Sequence, residues 1–236
     1  MAQNPIPLAS GVWRLPTLGS SAVNSFAFLD DDGTVTLVDT GLKGASKRLI
    51  ASLSAIGKQP VDVSRIVLTH AHPDHVGGCR TMRARTSAEV QIHDADAPFL
   101  REGKRPPADP LRPLARVFAF TGSSQPSCSV DETFSDGDII PVAGGLQVLH
   151  TPGHSPGHCS FLHPRSGVLI TGDALFNLRH RIRYSFALFC SNYAMSIDTA
   201  ERLAEPDYEI AAFTHGPEIR DGAREVVRSF LRHRKP

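Results

Sequence analysis

Short apolar runs of strand type recur along the chain, and between them lie turns and segments whose apolar residues repeat at helical spacing. In the first half, this alternation predicts strands at Val23–Leu29, 34–38, Val63–Leu68 and 90–93. Helices are predicted at residues 43–56, 76–85 and 94–101. A proline-rich stretch, residues 106–113, is expected to be irregular.

The second half repeats this rhythm. Strands are predicted at Leu146–His150, 158–162, 168–171 and 209–214. Helices are predicted at residues 196–203 and 222–232, and Asp198 with Glu201 is expected to form a capping box in the first of these. Because strands dominate both halves and helices flank them, the pattern predicts two stacked sheets with helices on the outside.

Composition adds limits to this picture. A chain of 236 residues with 41% hydrophobic and 21% charged residues is ordinary for a soluble globular protein, and one domain over residues 1–236 is expected. The formal net charge of +1 gives no long-range attraction to nucleic acid or to an anionic membrane, so neither is expected as a partner. No signal-like N-terminus and no long apolar stretch are seen, which predicts a cytoplasmic protein. The four cysteines are widely spaced, and free thiols are expected.

The strongest chemical signal is the sequence T-H-A-H-P-D-H-V-G-G at residues 69–78. Within six consecutive residues it contains four candidate metal ligands, His70, His72, Asp74 and His75. A strand-like run precedes it, and the proline and two glycines indicate a turn into a helix. These side chains are therefore expected to converge at the C-terminal end of a strand.

Three further residues of ligand type follow later predicted strands. His154 lies in T-P-G-H-S-P-G-H, Asp173 in T-G-D and His215 in T-H-G, each close to a glycine that lets the backbone approach an ion. Imidazole and carboxylate ligands suit Zn, Fe, Mn or Co. A site with five histidines and two aspartates can hold two ions about 3.5 Å apart, provided that one carboxylate bridges them.

The order of these motifs resembles that of the metallo-β-lactamase superfamily, and most of all its glyoxalase II, lactonase and related single-domain hydrolases. The resemblance covers the hairpin at residues 23–41 with Asp39, and then T-H-A-H-P-D-H-V-G-G, T-P-G-H-S-P-G-H, T-G-D and T-H-G in the family's order. It implies an α+β fold, a four-layer αββα sandwich. Asp39 is implied to support the site from behind the ligands.

The resemblance also implies how the ligands are shared between two metals. One ion would be held by His70, His72 and His154, and the other by Asp74, His75 and His215, with Asp173 bridging the pair. The implied activity is hydrolysis of a small ester, thioester or lactone by a hydroxide that bridges two divalent ions. Zinc is the metal expected first, and iron or manganese is an alternative. Asp74 is the one catalytic residue expected, because it would orient this nucleophile.

Two departures from the family pattern narrow the expected activity. An aspartate at position 173 disfavours β-lactam hydrolysis, and the short segment after His215 disfavours glyoxalase II itself. No extended basic region that would suit nucleic acid is found. Two alternatives to hydrolysis stay open, namely a mononuclear iron dioxygenase acting on sulfur compounds and a metal-binding protein that has no turnover.

For several other residues and segments, the sequence allows more than one interpretation. His158 is interpreted as a strand residue in preference to a support for the site. Arg179, Arg181 and Arg183 either hold an anionic substrate or, as we favour, form a solvated basic loop, while Tyr184 or Tyr193 is a candidate donor to an oxyanion. Residues 186–189 are assigned to the core or to a homodimer contact in preference to an acyl pocket. Residues 106–113 are assigned to a lid or to a connector.

Overall fold

The computed structural model describes residues 4–112 and 125–233. The first sheet contains strands β1 (Ile6–Ala9), β2 (Val12–Leu18), β3 (Val23–Leu29), β4 (Val35–Val38), β5 (Val63–Leu68), β6 (Glu89–His93) and β7 (Glu132–Phe134). The later strands are β8 (Ile139–Ile140), β9 (Leu146–His150), β10 (Cys159–His163), β11 (Val168–Ile170), β12 (Leu175–Leu178), β13 (Arg181–Tyr184) and β14 (Ile210–Ala212). The α-helices are α1 (Ser46–Ala55), α2 (Pro73–Val76), α3 (Cys79–Thr86), α4 (Ala97–Glu102), α5 (Tyr193–Ala200) and α6 (Ala223–His233).

The first sheet follows chain order from β1 to β7. Its pairs are antiparallel as far as β4 and parallel from β4 through β5 and β6 to β7. Since parallel strands point the same way, the chain leaves β4, β5 and β6 at one edge of this sheet. Whatever follows these strands is therefore gathered at that edge.

The second sheet has the order β14-β11-β10-β9-β8, in which only β11 and β14 pair in parallel. Strands β12 and β13 form a separate antiparallel hairpin, with Leu175 opposite Tyr184. No described helix is long and apolar enough to cross a membrane.

Three buried apolar clusters define the layers. One joins the outer face of the first sheet to α1, α3 and α4, another fills the space between the two sheets, and the third joins the second sheet to α5, the turn that follows it and α6. Phe28 and Phe161, both fully buried, belong to the cluster between the sheets. The four-layer αββα sandwich predicted from the sequence is thus confirmed.

The structure corrects several predicted elements. The predicted helix 76–85 is divided, since α2 ends at Val76 and α3 begins at Cys79. Between them, Gly77 and Gly78 pack so closely on the backbone of residues 40–43 that side chains there would overlap it. The capping box of Asp198 and Glu201 is wrong: α5 begins three residues before the prediction, and its cap is Asn192, whose side chain accepts a hydrogen bond from the backbone N–H of Met195. Strands β1, β2, β7, β8, β12 and β13 were not predicted.

Candidate metal centre

The predicted ligands lie together because each follows a strand that ends at the same side of the sandwich. Residues 70–75 follow β5, next to Asp39 after β4 in the first sheet. From the second half of the chain, His154 follows β9, Asp173 follows β11 and His215 follows β14. The structure thus brings the seven side chains together, as the strand-end argument expected.

Ring nitrogens and carboxylate oxygens of these side chains form three groups, each within 4.8 Å, that are able to hold a metal ion. The groups are His70, His72 and His154; then Asp74, His75 and His215; and finally His70, His75 and Asp173. The first two groups correspond to the two ligand sets expected from the sequence.

Asp173 lies between those two sets. Its Oδ2 is 3.2 Å from His154 Nε2, while its Oδ1 is 3.3 Å from His75 Nε2 and 3.4 Å from His215 Nε2. Each oxygen of this buried carboxylate thus faces a different set, which is the arrangement that a bridging ligand requires.

Three of the histidines point one ring nitrogen toward the centre and contact another group through the second nitrogen. His75 Nδ1 donates to Asp39 Oδ2 (2.8 Å) and His215 Nδ1 to the carbonyl oxygen of Ala22 (2.6 Å). His154 Nδ1 lies 2.7 Å from Ser185 Oγ, and its Nε2 lies 2.8 Å from His72 Nδ1. His70 Nδ1 contacts Thr69 Oγ1 at 3.0 Å. A hydrogen bond at one nitrogen fixes the tautomer and leaves the lone pair of the other available to a metal.

Two buried atoms show that this donor set fits a metal. His70 Nε2 and His75 Nε2 are inaccessible to solvent and have no hydrogen-bond partner among the described residues. An unsatisfied buried polar atom is costly, and a metal ion would satisfy both. Burial also lowers the pKa of His70 and His154 well below the usual range and that of His72 to about 4, which favours the neutral form that a metal ligand needs. Asp173 acts in the opposite direction on the other two rings: against the effect of burial, it raises the pKa of His75 and that of His215.

Asp39 lies directly behind His75. It is fully buried, and besides the bond from His75 it accepts hydrogen bonds from the backbone N–H and the hydroxyl of Thr69. Its backbone is left-handed, with φ of 61°, an uncommon conformation for a residue other than glycine. Asp39 therefore orients His75 and holds the start of the 69–78 motif, as the sequence suggested.

His158 supports the centre as well. Its Nδ1 donates to the carbonyl of Thr151 (2.9 Å), and its Nε2 accepts the backbone N–H of Asp173 (2.7 Å). The interpretation of His158 as an ordinary strand residue, which we favoured from the sequence, is thus replaced by a role in fixing the backbone of Asp173.

Sequence reasoning missed Asp96. Its fully buried carboxylate accepts hydrogen bonds from the backbone N–H of Ala71 (2.8 Å), Ser155 Oγ (2.6 Å) and the backbone N–H of Gly157 (2.7 Å). It therefore connects the loop of His70 and His72 with the loop of His154. A signal was present, since Asp96 comes just after β6, which is parallel to β5 and ends at the same edge.

A cavity of about 530 Å³ opens beside the cluster, and His72, Asp74, His154, Asp173 and His215 form part of its wall. Most of the remaining wall is apolar and includes Leu18, Val23, Leu42, Pro106, Pro107, Ala108, Phe176, Leu178, Phe186, Leu188 and Phe189. Volume and lining are typical of a site for a small molecule.

The cavity decides several interpretations left open by the sequence. Phe186 and Phe189 are about half exposed and line it, so they are not core residues. Residues 106–108 of the proline-rich stretch line it too, whereas Pro113 falls outside the described residues. The arginines at 179, 181 and 183 are exposed and do not contribute to its wall.

The two candidate tyrosines lie elsewhere. The ring of Tyr184 packs against Phe230 with 4.9 Å between centroids, and the guanidinium of Arg112 stacks over the ring of Tyr193 at 4.7 Å. Neither tyrosine contributes to the cavity wall. The structure thus gives no support to a tyrosine as oxyanion donor.

Comparisons with known proteins identify the family of this chain. Residues 18–215 match the family model of the metallo-beta-lactamase superfamily. The uncharacterized protein YobT of Bacillus subtilis is 31% identical over 95% of this chain and 96% of its own length. Hydroxyacylglutathione hydrolase GloC of Haemophilus influenzae is 30% identical over 62% of this chain and 64% of its own length.

A solved structure gives the same result. A metallo-beta-lactamase family protein from Thermus thermophilus is 27% identical, with a TM-score of 0.70 over 96% of this chain and 80% of its own chain. The fold, the motif order and the matched family model agree with one another. The chain belongs to the metallo-beta-lactamase superfamily, whose members include metal-dependent hydrolases.

Proposed function

We propose that this protein is a metal-dependent hydrolase that holds two divalent ions and cleaves a small ester, thioester or lactone. The observation that carries the proposal is the position of Asp173, whose two carboxylate oxygens face two separate ligand sets. Zinc is the metal we expect first, with iron or manganese as alternatives, because the set contains imidazole and carboxylate but no thiolate.

The proposed ligands are those that the sequence suggested. His70, His72 and His154 would hold one ion, Asp74, His75 and His215 the other, and Asp173 would contact both. Ions bound there would lower the pKa of a water ligand to about 7 and polarise the carbonyl of the substrate.

Asp74 is the proposed catalytic residue. Its side chain is 32% exposed, whereas those of Asp39 and Asp173 are almost fully buried, and it is part of the cavity wall. Its Oδ2 lies 3.3 Å from His215 Nε2. A carboxylate so placed can ligate metal and at the same time accept a hydrogen bond from the attacking water, fixing the direction of attack.

The cavity supports a small carbonyl substrate with an apolar portion. Phe176 packs edge-on against the ring of His215, with 4.7 Å between centroids, and also contacts Phe186. Apolar surface thus begins directly at the proposed ligands, and it would exclude water around an acyl group. The similarity to a relative named hydroxyacylglutathione hydrolase favours a thioester or ester over an amide.

The test is metal content followed by hydrolysis of a panel of esters, thioesters and lactones. We expect about two metal ions per chain in the wild type, and loss of metal and turnover in His70→Ala and Asp173→Ala. His233→Ala, which removes an exposed histidine at the end of α6, is the matched control and should change neither. Full turnover in either site variant would refute the assignment.

The same experiment separates the alternatives. His70, His75 and Asp173 form a group of two histidines and one carboxylate, a pattern that non-haem iron oxygenases use. One iron per chain, with oxygen consumed in the presence of a persulfide, would favour a sulfur dioxygenase. Metal-loaded protein that hydrolyses no member of the panel would favour a binding protein without turnover.

A further inference from the structure

The cavity wall contains one cationic side chain apart from the histidines of the centre. Of the described residues that line it, Arg105 is the only arginine or lysine, and it is followed there by Pro106, Pro107 and Ala108. The residue is half-buried. A guanidinium in a mainly apolar cavity beside a hydrolytic centre is a candidate for substrate recognition.

The side chain of Arg105 has no partner within residues 4–112 and 125–233. Its Nε is buried without a hydrogen-bond partner among the described residues, and no carboxylate of those residues lies within ion-pair distance of its guanidinium. Other arginines do have such partners: Arg83 pairs with Asp131 at 2.6 Å and Arg202 with Asp136 at 2.9 Å. A partly desolvated cation without a partner is costly, so pairing of the guanidinium with an anionic ligand would be favourable.

Arg105 lies in the same cavity as the candidate metal centre. The wall that contains Arg105 also contains His72, Asp74, His154, Asp173 and His215. One molecule that fills the cavity can therefore contact both the guanidinium and the proposed metal ligands.

We infer that Arg105 binds a carboxylate of the substrate, and that the substrate is an ester, thioester or lactone with an apolar chain between its reacting carbonyl and that carboxylate. This inference rests on the proposed hydrolase function. The guanidinium fork matches a carboxylate in two parallel hydrogen bonds, and the phenylalanines of the cavity suit the chain between the two ends. The exposed arginines at 179, 181 and 183 do not line the cavity.

The test compares matched charged and neutral substrates. The 4-nitrophenyl monoesters of adipic and pimelic acids carry a terminal carboxylate, and the 4-nitrophenyl esters of hexanoic and heptanoic acids replace it with a methyl group. In Arg105→Met we expect kcat/KM for the charged esters to fall by about 10- to 100-fold, the value of a lost charge-assisted pair, with the neutral esters changed less than about twofold. Arg105→Lys should lie between, since it keeps the charge and loses the fork.

Arg181→Met is the matched control, because it removes an exposed arginine of β13 that does not line the cavity. We expect it to leave both substrate classes unchanged. An equal loss for charged and neutral esters in Arg105→Met would overturn the inference, and so would a wild type that shows no preference for the charged esters.

A binding measurement separates this inference from the proposed function. Adipic acid monoamide and hexanamide differ in their terminal carboxylate, and calorimetry on the metal-loaded protein measures their affinities without any hydrolysis. We expect the monoamide to bind at least about tenfold more tightly in the wild type and to lose that advantage in Arg105→Met. If the advantage persists in the variant, Arg105 is not the binding residue. If neither ester series is hydrolysed but the advantage is seen and is lost in Arg105→Met, the proposed function fails while the carboxylate site stands.

Discussion

Replacing Asp96 with asparagine probes the contact between the two loops that carry His70, His72 and His154. The wild-type carboxylate accepts three hydrogen bonds, from the backbone N–H groups of Ala71 and Gly157 and from the hydroxyl of Ser155. Asparagine presents one acceptor oxygen and one amide NH₂ group. Because Asp96 Oδ1 accepts from Gly157 and Oδ2 from Ala71, one of these two N–H groups must face the amide donor in the variant.

The magnitude follows from this mismatch. A buried donor left without a partner costs about 1–3 kcal/mol, and the remaining bonds also lose their charge. We therefore expect Asp96→Asn to lower the free energy of unfolding by about 2–4 kcal/mol, which for a chain of this size corresponds to a fall in Tm of about 4–15 °C. Residues that orient metal ligands typically contribute about 10- to 100-fold to metal affinity, and a loss in that range is expected here.

The assay is denaturant unfolding of metal-stripped protein together with metal competition against a chromogenic chelator. Asp94→Asn is the matched control, since Asp94 follows the same strand but has a side chain that is 60% exposed and pairs with His93. We expect Asp94→Asn to change stability by less than about 0.5 kcal/mol. If Asp96→Asn behaves like this control in both measurements, Asp96 does not hold the two loops together and the reasoning is refuted.

Three further predictions concern other parts of the fold. Burial lowers the pKa of His163 below its ordinary value of 6.5, so protonation of this ring at low pH destabilises the fold. When denaturant unfolding is measured at pH 7.5 and at pH 5, the free energy of unfolding should fall more in the wild type than in His163→Gln as the pH is lowered. Gly153→Ala should cost about 3 kcal/mol in thermal unfolding, because Gly153 has φ of 125° and a Cβ there would overlap the backbone of Ser196. Cys79 Sγ and Cys128 Sγ are 2.8 Å apart, so mild oxidation with hydrogen peroxide should remove these two thiols first, as peptide mapping would show; equal loss at the other cysteines would contradict it.

The ligand positions were predictable because one physical rule applies to all of them. A strand is recognised from its apolar run, and a polar residue just past its end must lie at the edge of a sheet, as His154 does after β9 and Asp173 after β11. The same rule applies to Asp96 after β6, but the surrounding sequence H-D-A-D-A-P resembles none of the ligand motifs, and its residues from 94 onwards fit the helix predicted at 94–101.

The cavity wall could not be predicted in this way. Arg105 and the phenylalanines at 186 and 189 lie in segments without regular periodicity, and nothing in such a segment shows which side chain faces an opening. The basic run at 181–184 stood out in the sequence for its alternation, but that alternation is the period of strand β13, whose arginines point to solvent. Arg105, between Lys104 and two prolines, belongs to no repeating pattern, and yet it lines the cavity.

The orientation of the histidines shows why a ligand motif alone does not make a centre. His70 Nδ1 contacts Thr69, the residue before it in the chain. The other three rings depend on distant residues: His75 on Asp39, 36 residues away, His154 on Ser185, 31 residues away, and His215 on the carbonyl of Ala22, 193 residues away. Both proposed ligand sets therefore contain rings that tertiary packing orients, so a change in the segment after β13 or in the turn before β3 can misalign a ring that the motif itself leaves intact.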